Sequence, residues 1–201
     1  MKYILAILIV VSLLLILNKK SPTERYELSP TDKIIAFGDS LTYGYGVDAI
    51  YSYPSVLSQL SGHVVQNEGL SGEISALGVK RLSKVLMGSD AKLMILCHGG
   101  NDILQRRSYR ELKKNLKSMV DMAKSRGMQV LLIGVPDISL VGLSTPELYQ
   151  EVAREEEILY IDDLLEDILS DSSLKGDRIH PNAIGYKKMA EGIYRFLMHD
   201  L

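Results

Sequence analysis

Three short apolar runs constrain the fold of this chain more than any other feature: KIIAF at 33–37, KLMILC at 92–97 and QVLLIGV at 129–135. Near-continuous runs of this length mark central parallel strands covered on both faces. Runs at 63–66 (HVVQ) and 157–161 (EILYI) are further candidate strands. Between the strands lie segments of helical period, at 52–61, 73–87, 108–126 and 146–156, with a last one at 182–198. In 108–126, Leu112, Leu116, Met119 and the pair Met122–Ala123 recur three or four apart, with Lys and Arg between them. That spacing gives one buried stripe. The alternation predicts an α/β protein, a three-layer α/β/α sandwich about a mostly parallel sheet. Such sheets bind ligands outside the carboxyl ends of their strands, at a switch point in strand order. Chemistry is therefore to be sought in the residues that follow each strand.

Composition removes several classes of function. The 201 residues suit one domain, and 46% hydrophobic with 24% charged residues is a globular balance. A net charge of −2, no basic run longer than a pair and few aromatics give no footprint for nucleic acid. One cysteine, Cys97, excludes an internal disulfide framework. His63, His98, His180 and His199 are scattered without ligand spacing, so no metal is expected. No other cofactor is expected either. Gly44–Ala49 does match G-x-G-x-x-A, with Glu68 further on. That dinucleotide fingerprint should open directly from a strand into a helix, whereas GDSLT intervenes here. No G-x-S-x-G elbow occurs.

The first twenty residues stand apart from the domain. Tyr3 to Leu17 is apolar except for Ser12, with Lys2 before it and Lys19–Lys20 after it. As a helix this run reaches about 22 Å, short of the roughly 30 Å hydrocarbon core. It reads as an export signal or an uncleaved signal anchor. The expectation is an exported domain on the periplasmic side, held to the inner membrane by residues 3–17; a cleaved signal and a soluble periplasmic protein is the alternative. Residues 21–32, with two Ser-Pro pairs, read as a linker, and 33–201 as the domain.

Four loops carry candidate chemistry. After the first strand, Gly38-Asp39-Ser40 places Ser40 near the first turn of a following helix, whose free N–H groups favour developing negative charge. The plain alternative is an ordinary N-cap. After the second strand, Gly69 and Gly72 bracket a turn in NEGLSGEIS, where backbone can approach a ligand or simply turn. After the third, CHGGND sets the Asn101 carboxamide where it can donate to an oxyanion, or where it can close an Asx turn. Near the end, Asp177 and His180 in GDRIHPN lie three apart, a spacing that lets a carboxylate hold Nδ1–H and leave Nε2 free as a base. An exposed loop pair is the alternative. His98 and Cys97 are adjacent, and neighbours on a strand face opposite ways. Taken together, the four loops supply a nucleophile, oxyanion donors and an oriented base.

FGDSLTYGYG, SGEIS, GGND and DRIHPN resemble the four sequence blocks of the SGNH (GDSL) hydrolases, nearest to the thioesterase I/arylesterase/lysophospholipase branch. The resemblance spans about 33–198. It implies a flavodoxin-like five-stranded sheet of order 2-1-3-4-5. By motif it implies a catalytic Ser40, Asp177 and His180, with the Ser40 amide, Gly72 and Asn101 as the oxyanion hole. Glu73 and Arg178 stand where the branch often has Asp and Gly, and neither is expected to touch the chemistry. The implied activity is hydrolysis of acyl esters or thioesters through an acyl-enzyme. Deacetylation of a cell-surface glycan is the rival enzyme reading, and a membrane-tethered binding module the non-enzyme one. Ile138, Leu140, Val141 and Leu143 fall in an expected loop after the fourth strand, where they either pack on the core or line an acyl groove. The expected partners are a small acyl ester or lipid substrate and, through the N-terminal segment, a membrane; the sequence does not fix an oligomeric state.

Overall fold

The computed structural model of the chain describes residues 28–139 and 142–199. The strands β1 (Ile34–Gly38) and β3 (Leu93–Cys97) are buried at every position, as their uninterrupted apolar runs require. They pair in parallel with each other, with β2 (Val65–Gly69) outside β1 and β4 (Gln129–Ile133) outside β3. A short last strand, β7 (Leu159–Ile161), pairs in parallel with β4. The order β2-β1-β3-β4-β7 is the expected 2-1-3-4-5 sheet counted along its own strands.

Helices cover both faces. On one, α2 (Tyr53–Ser61) packs on the terminal helix α8 (Ala183–His199), which also meets α7 (Leu164–Ser170). On the other, α3 (Ser75–Val85) packs on α5 (Tyr109–Lys124), and α5 on α6 (Leu148–Glu156). Of the stripe read from the sequence, Leu112, Leu116, Met119 and Ala123 of α5 face the core while Met122 is half-buried, and Val120 is buried beside them. Ser108 caps that helix by accepting the Glu111 amide.

Several boundaries and two regions differ from the sequence expectation, one of them the unexpected helix α7 over 164–170. The second strand runs 65–69 rather than 63–66. It is a sheet edge, so Gln66, Asn67 and Glu68 can point to water while their backbone pairs with β1, and apolar patterning does not register such a strand. The helix expected from residue 73 starts at Ser75, because Glu73 turns inward. Residues 137–144, expected as a loop, contain an antiparallel hairpin of β5 (Asp137–Ser139) and β6 (Gly142–Ser144). Short helices α1 (Ser40–Tyr43) and α4 (Gly100–Leu104) follow β1 and β3 directly.

Register aligns the loops. Gly38 of β1 stands level with Gly69 of β2 and Cys97 of β3, so the first three candidate loops leave the sheet side by side. At Gly38 a Cβ would collide with the Cys97 carbonyl and the Thr42 hydroxyl, so glycine is what lets α1 turn back so tightly. Among the described residues no helix is long and apolar enough to cross a membrane. The run 3–17 and most of the linker lie outside the described residues.

Candidate active site

The first loop is built around Asp39, which is 1% exposed. Its Oδ1 accepts the Leu41 amide at 3.1 Å and its Oδ2 accepts the Gly100 amide at 3.1 Å. One carboxylate thus caps α1 and fixes the loop after β3 against it. Burial pushes the Asp39 carboxyl up; the Leu41 and Gly100 amides act in the opposite sense without cancelling the rise. Ser40 is the first residue of α1, where the backbone N–H has no intrahelical partner.

The last loop reaches Ser40 from the other end of the chain. Asp177 Oδ1 accepts the Ile179 and His180 amides at 2.8 Å each, a tight turn that leaves Oδ2 for the ring. His180 Nδ1 lies 2.8 Å from Asp177 Oδ2, and Nε2 lies 2.9 Å from Ser40 Oγ. With Nδ1 donating to the carboxylate, Nε2 is the acceptor for the serine hydroxyl. Asn182 holds the loop to α8: its Oδ1 caps the Ile184 and Gly185 amides, and its Nδ2 donates to the carbonyls of Ser173 and Lys175. The Tyr45 ring lies against the His180 ring, with centroids 4.6 Å apart.

The second and third loops are stitched together. Asn101 Nδ2 donates to the Glu73 carbonyl at 3.1 Å. Asp102 accepts both the amide and the hydroxyl of Ser75 at 2.7 Å, and Asn115 donates to the same hydroxyl. Asn101 lines the same cavity as Ser40, and its Nδ2 carries a second hydrogen besides the one given to Glu73. Gly72 stands at one remove. It does not line the cavity beside Ser40, it is joined to that cavity through the Asn101–Glu73 bond, and its N–H has no acceptor among the described residues.

That cavity is narrow, with about 30 Å³ free beside Ser40, Asn101 and His180. Past Leu104, Ile138 and Ile179, which line both spaces, lies an outer groove of about 440 Å³ flanked by Arg178. Of the four expected groove residues, Ile138 lines the cavity. Leu143 pairs with it across the hairpin instead, and Leu140 and Val141 lie outside the described residues. No group of three or more His, Cys, Asp and Glu able to hold a metal ion occurs among the described residues.

A family-wide sequence profile decides the lineage: that of the GDSL-like lipase/acylhydrolase family matches residues 36–188. The chain belongs to this family. Among relatives, it is 27% identical to "Esterase TesA" of Pseudomonas aeruginosa over 171 residues, covering 80% of this chain and 85% of that protein. It is 25% identical to "Thioesterase 1/protease 1/lysophospholipase L1" of Escherichia coli K12, covering 78% and 79%. A crystal structure of TesA superposes with a TM-score of 0.76 at 26% identity, covering 85% of this chain and all of that one. This GDSL-family chain carries polar residues at its site that motif reading passed over. Asp39 caps α1, as a carboxylate beside local backbone amides can, but its reach to the Gly100 amide was not expected, and Asp102 sits inside its motif as an apparent turn residue. Tyr45 lies between the two glycines of the nucleotide-like run. Glu73, expected to be a bystander, lends its carbonyl to Asn101.

Proposed function

We propose that the protein is a serine ester hydrolase. Ser40 is the nucleophile, His180 the general base and acid, and Asp177 the group that holds the His180 tautomer. The observation that carries this reading is the unbroken relay from Asp177 Oδ2 through both His180 nitrogens to Ser40 Oγ, with contacts of 2.8 and 2.9 Å. His180 takes the Ser40 proton as Oγ adds to the acyl carbonyl. The Ser40 amide and the Asn101 carboxamide, both at the cavity, hold the oxyanion; the Gly72 amide is the third donor, and has to close on the cavity from the adjoining loop as substrate enters. His180 then protonates the leaving group and activates water to release the acid. Apolar walls at Leu104, Ile138 and Ile179 direct the acyl chain from the narrow cavity into the outer groove, which favours acyl esters or thioesters with chains beyond acetyl.

Two experiments test this. Ser40→Ala should abolish turnover of p-nitrophenyl esters with the fold intact; wild-type activity in that variant would sink the assignment. Across esters from acetate to palmitate, kcat/KM should rise as the chain outgrows the inner cavity, and turnover of acetate alone would point to a deacetylase. Residues 3–17 serve, in this reading, as an anchor that holds the domain on the periplasmic face. Carbonate washing of a membrane fraction tests that, since an anchored protein stays in the pellet.

A further inference from the structure

Beneath the loops that carry Gly72 and Asn101 lies a buried polar cluster to which the reaction gives no task. His98, wholly buried, sets Nε2 3.1 Å from Glu73 Oε2. The Glu73 carboxylate is gripped from its other side by Arg81, Nε to Oε1 at 2.8 Å and Nη2 to Oε2 at 2.7 Å. Arg81 lies over the Phe37 ring, 4.2 Å from its centroid, and donates to the carbonyls of Gly38 and Glu68. The carbonyl of His98 is itself fixed by the Tyr149 hydroxyl at 2.9 Å. His98 Nδ1 has no partner among the described residues. The single ring donor is therefore best placed on Nε2, facing the carboxylate.

Gly78 shows that the arrangement is built in. It lies within α3, and a Cβ there would stand 2.5 Å from His98 Nε2. Glycine is a poor helix-interior residue; here its missing side chain is what admits the imidazole.

His98 leaves the end of β3 three residues before Asn101, and Glu73 directly follows Gly72. Their contact joins the two donor loops in parallel with the Asn101–Glu73 main-chain bond. From this geometry we infer that His98 and Glu73 are positioning residues for the oxyanion hole, setting the separation of the Gly72 amide from the Asn101 carboxamide. The inference rests on the acyl-hydrolase reading above. Oxyanion donors act over a few tenths of an ångström, whereas the acyl groove lies against other residues, so the effect falls on kcat and not on KM.

The test uses the full chain with His98→Leu, His98→Gln and Gly78→Ala. Each is assayed for p-nitrophenyl butyrate hydrolysis and for inhibition by an alkyl trifluoromethyl ketone, which forms a tetrahedral oxyanion on the serine. His98→Leu should lower kcat about tenfold or more with KM within about twofold, a part of the loss expected when a donor is removed outright. The ketone Ki should rise by the factor that kcat/KM loses. His98→Gln, which returns a donor to Glu73, should recover most of both. Gly78→Ala keeps both polar residues but presses a methyl on the ring, and should move both readouts the same way. Should the leucine variant fail to fold, the other two carry the test. Unchanged kcat and ketone affinity overturn the inference, as does a loss that merely follows the folded fraction measured by circular dichroism. If the unmutated protein neither turns over esters nor binds the ketone, the hydrolase reading fails instead.

Discussion

Burial alone would raise the Asp177 carboxyl, but hydrogen bonds from the Ile179 amide, the His180 ring and the His180 amide bring it below the ordinary carboxylate range. Asp177 is therefore already ionised wherever His180 works as a base. Asp177→Asn keeps the shape but offers the ring the wrong partner, and should cost roughly 10⁴ in kcat with little change in KM. Asn101→Ala removes one of the proposed oxyanion donors and should cost about 10²–10³ in kcat, read in the same ester assay. Residue types at this scale were legible because the four motifs name them. What the motifs could not convey is that one Asn101 hydrogen already belongs to the Glu73 carbonyl, a contact between segments 28 residues apart in the chain.

The loops between elements are set by buried carboxylates, Asp39, Asp102 and Glu73 among them. Burial raises the Glu73 carboxyl, but hydrogen bonds from His98 and Arg81, with the Arg81 charge, bring it from 4.5 down to about 2. A depressed carboxyl stabilises the folded state fully above its unfolded pKa, and that contribution is lost as pH falls through the folded value. The window is thus from about 4.5 down to about 2, and a shift of this size corresponds to roughly 3 kcal/mol at neutral pH. Glu73→Gln should accordingly lower the unfolding free energy at pH 7. Denaturant melts should find the gap to wild type closing across that window. A gap independent of pH would show that packing, not charge, is lost. Sequence patterning missed this element because Arg81 looks like any solvated position on an amphipathic helix. Its role depends on Phe37, Gly38 and Glu68 lying beneath it.

Across the whole molecule, the topology was readable from the buried strands, since β1 and β3 have no polar position to mislead a period count. The rim was less so. The edge strand β2 is polar over Gln66–Glu68, and β5 and β6 are three residues each, too short to show a period. The groove suffered most from this, because Ile138 reaches the cavity only through the hairpin that pairs it with Leu143. Ser40, Asn101, Asp177 and His180 all lie among the described residues, beside one sheet. A chain beginning at Ser21 should therefore keep wild-type kcat on a soluble short-chain ester and an unchanged melting temperature. A large loss would make the N-terminal segment part of the working domain.

The central claim, that this sheet displays Ser40 as an activated nucleophile, is tested most directly by covalent labelling. The protein is treated with an alkyl fluorophosphonate, weighed intact by mass spectrometry and then mapped by peptide. One adduct per chain, on Ser40, formed quickly in the wild type and at least a hundredfold more slowly in a His180→Ala variant, is the predicted result. An unlabelled protein, an adduct on another residue, or labelling of Ser40 at the same rate without His180 would contradict the account.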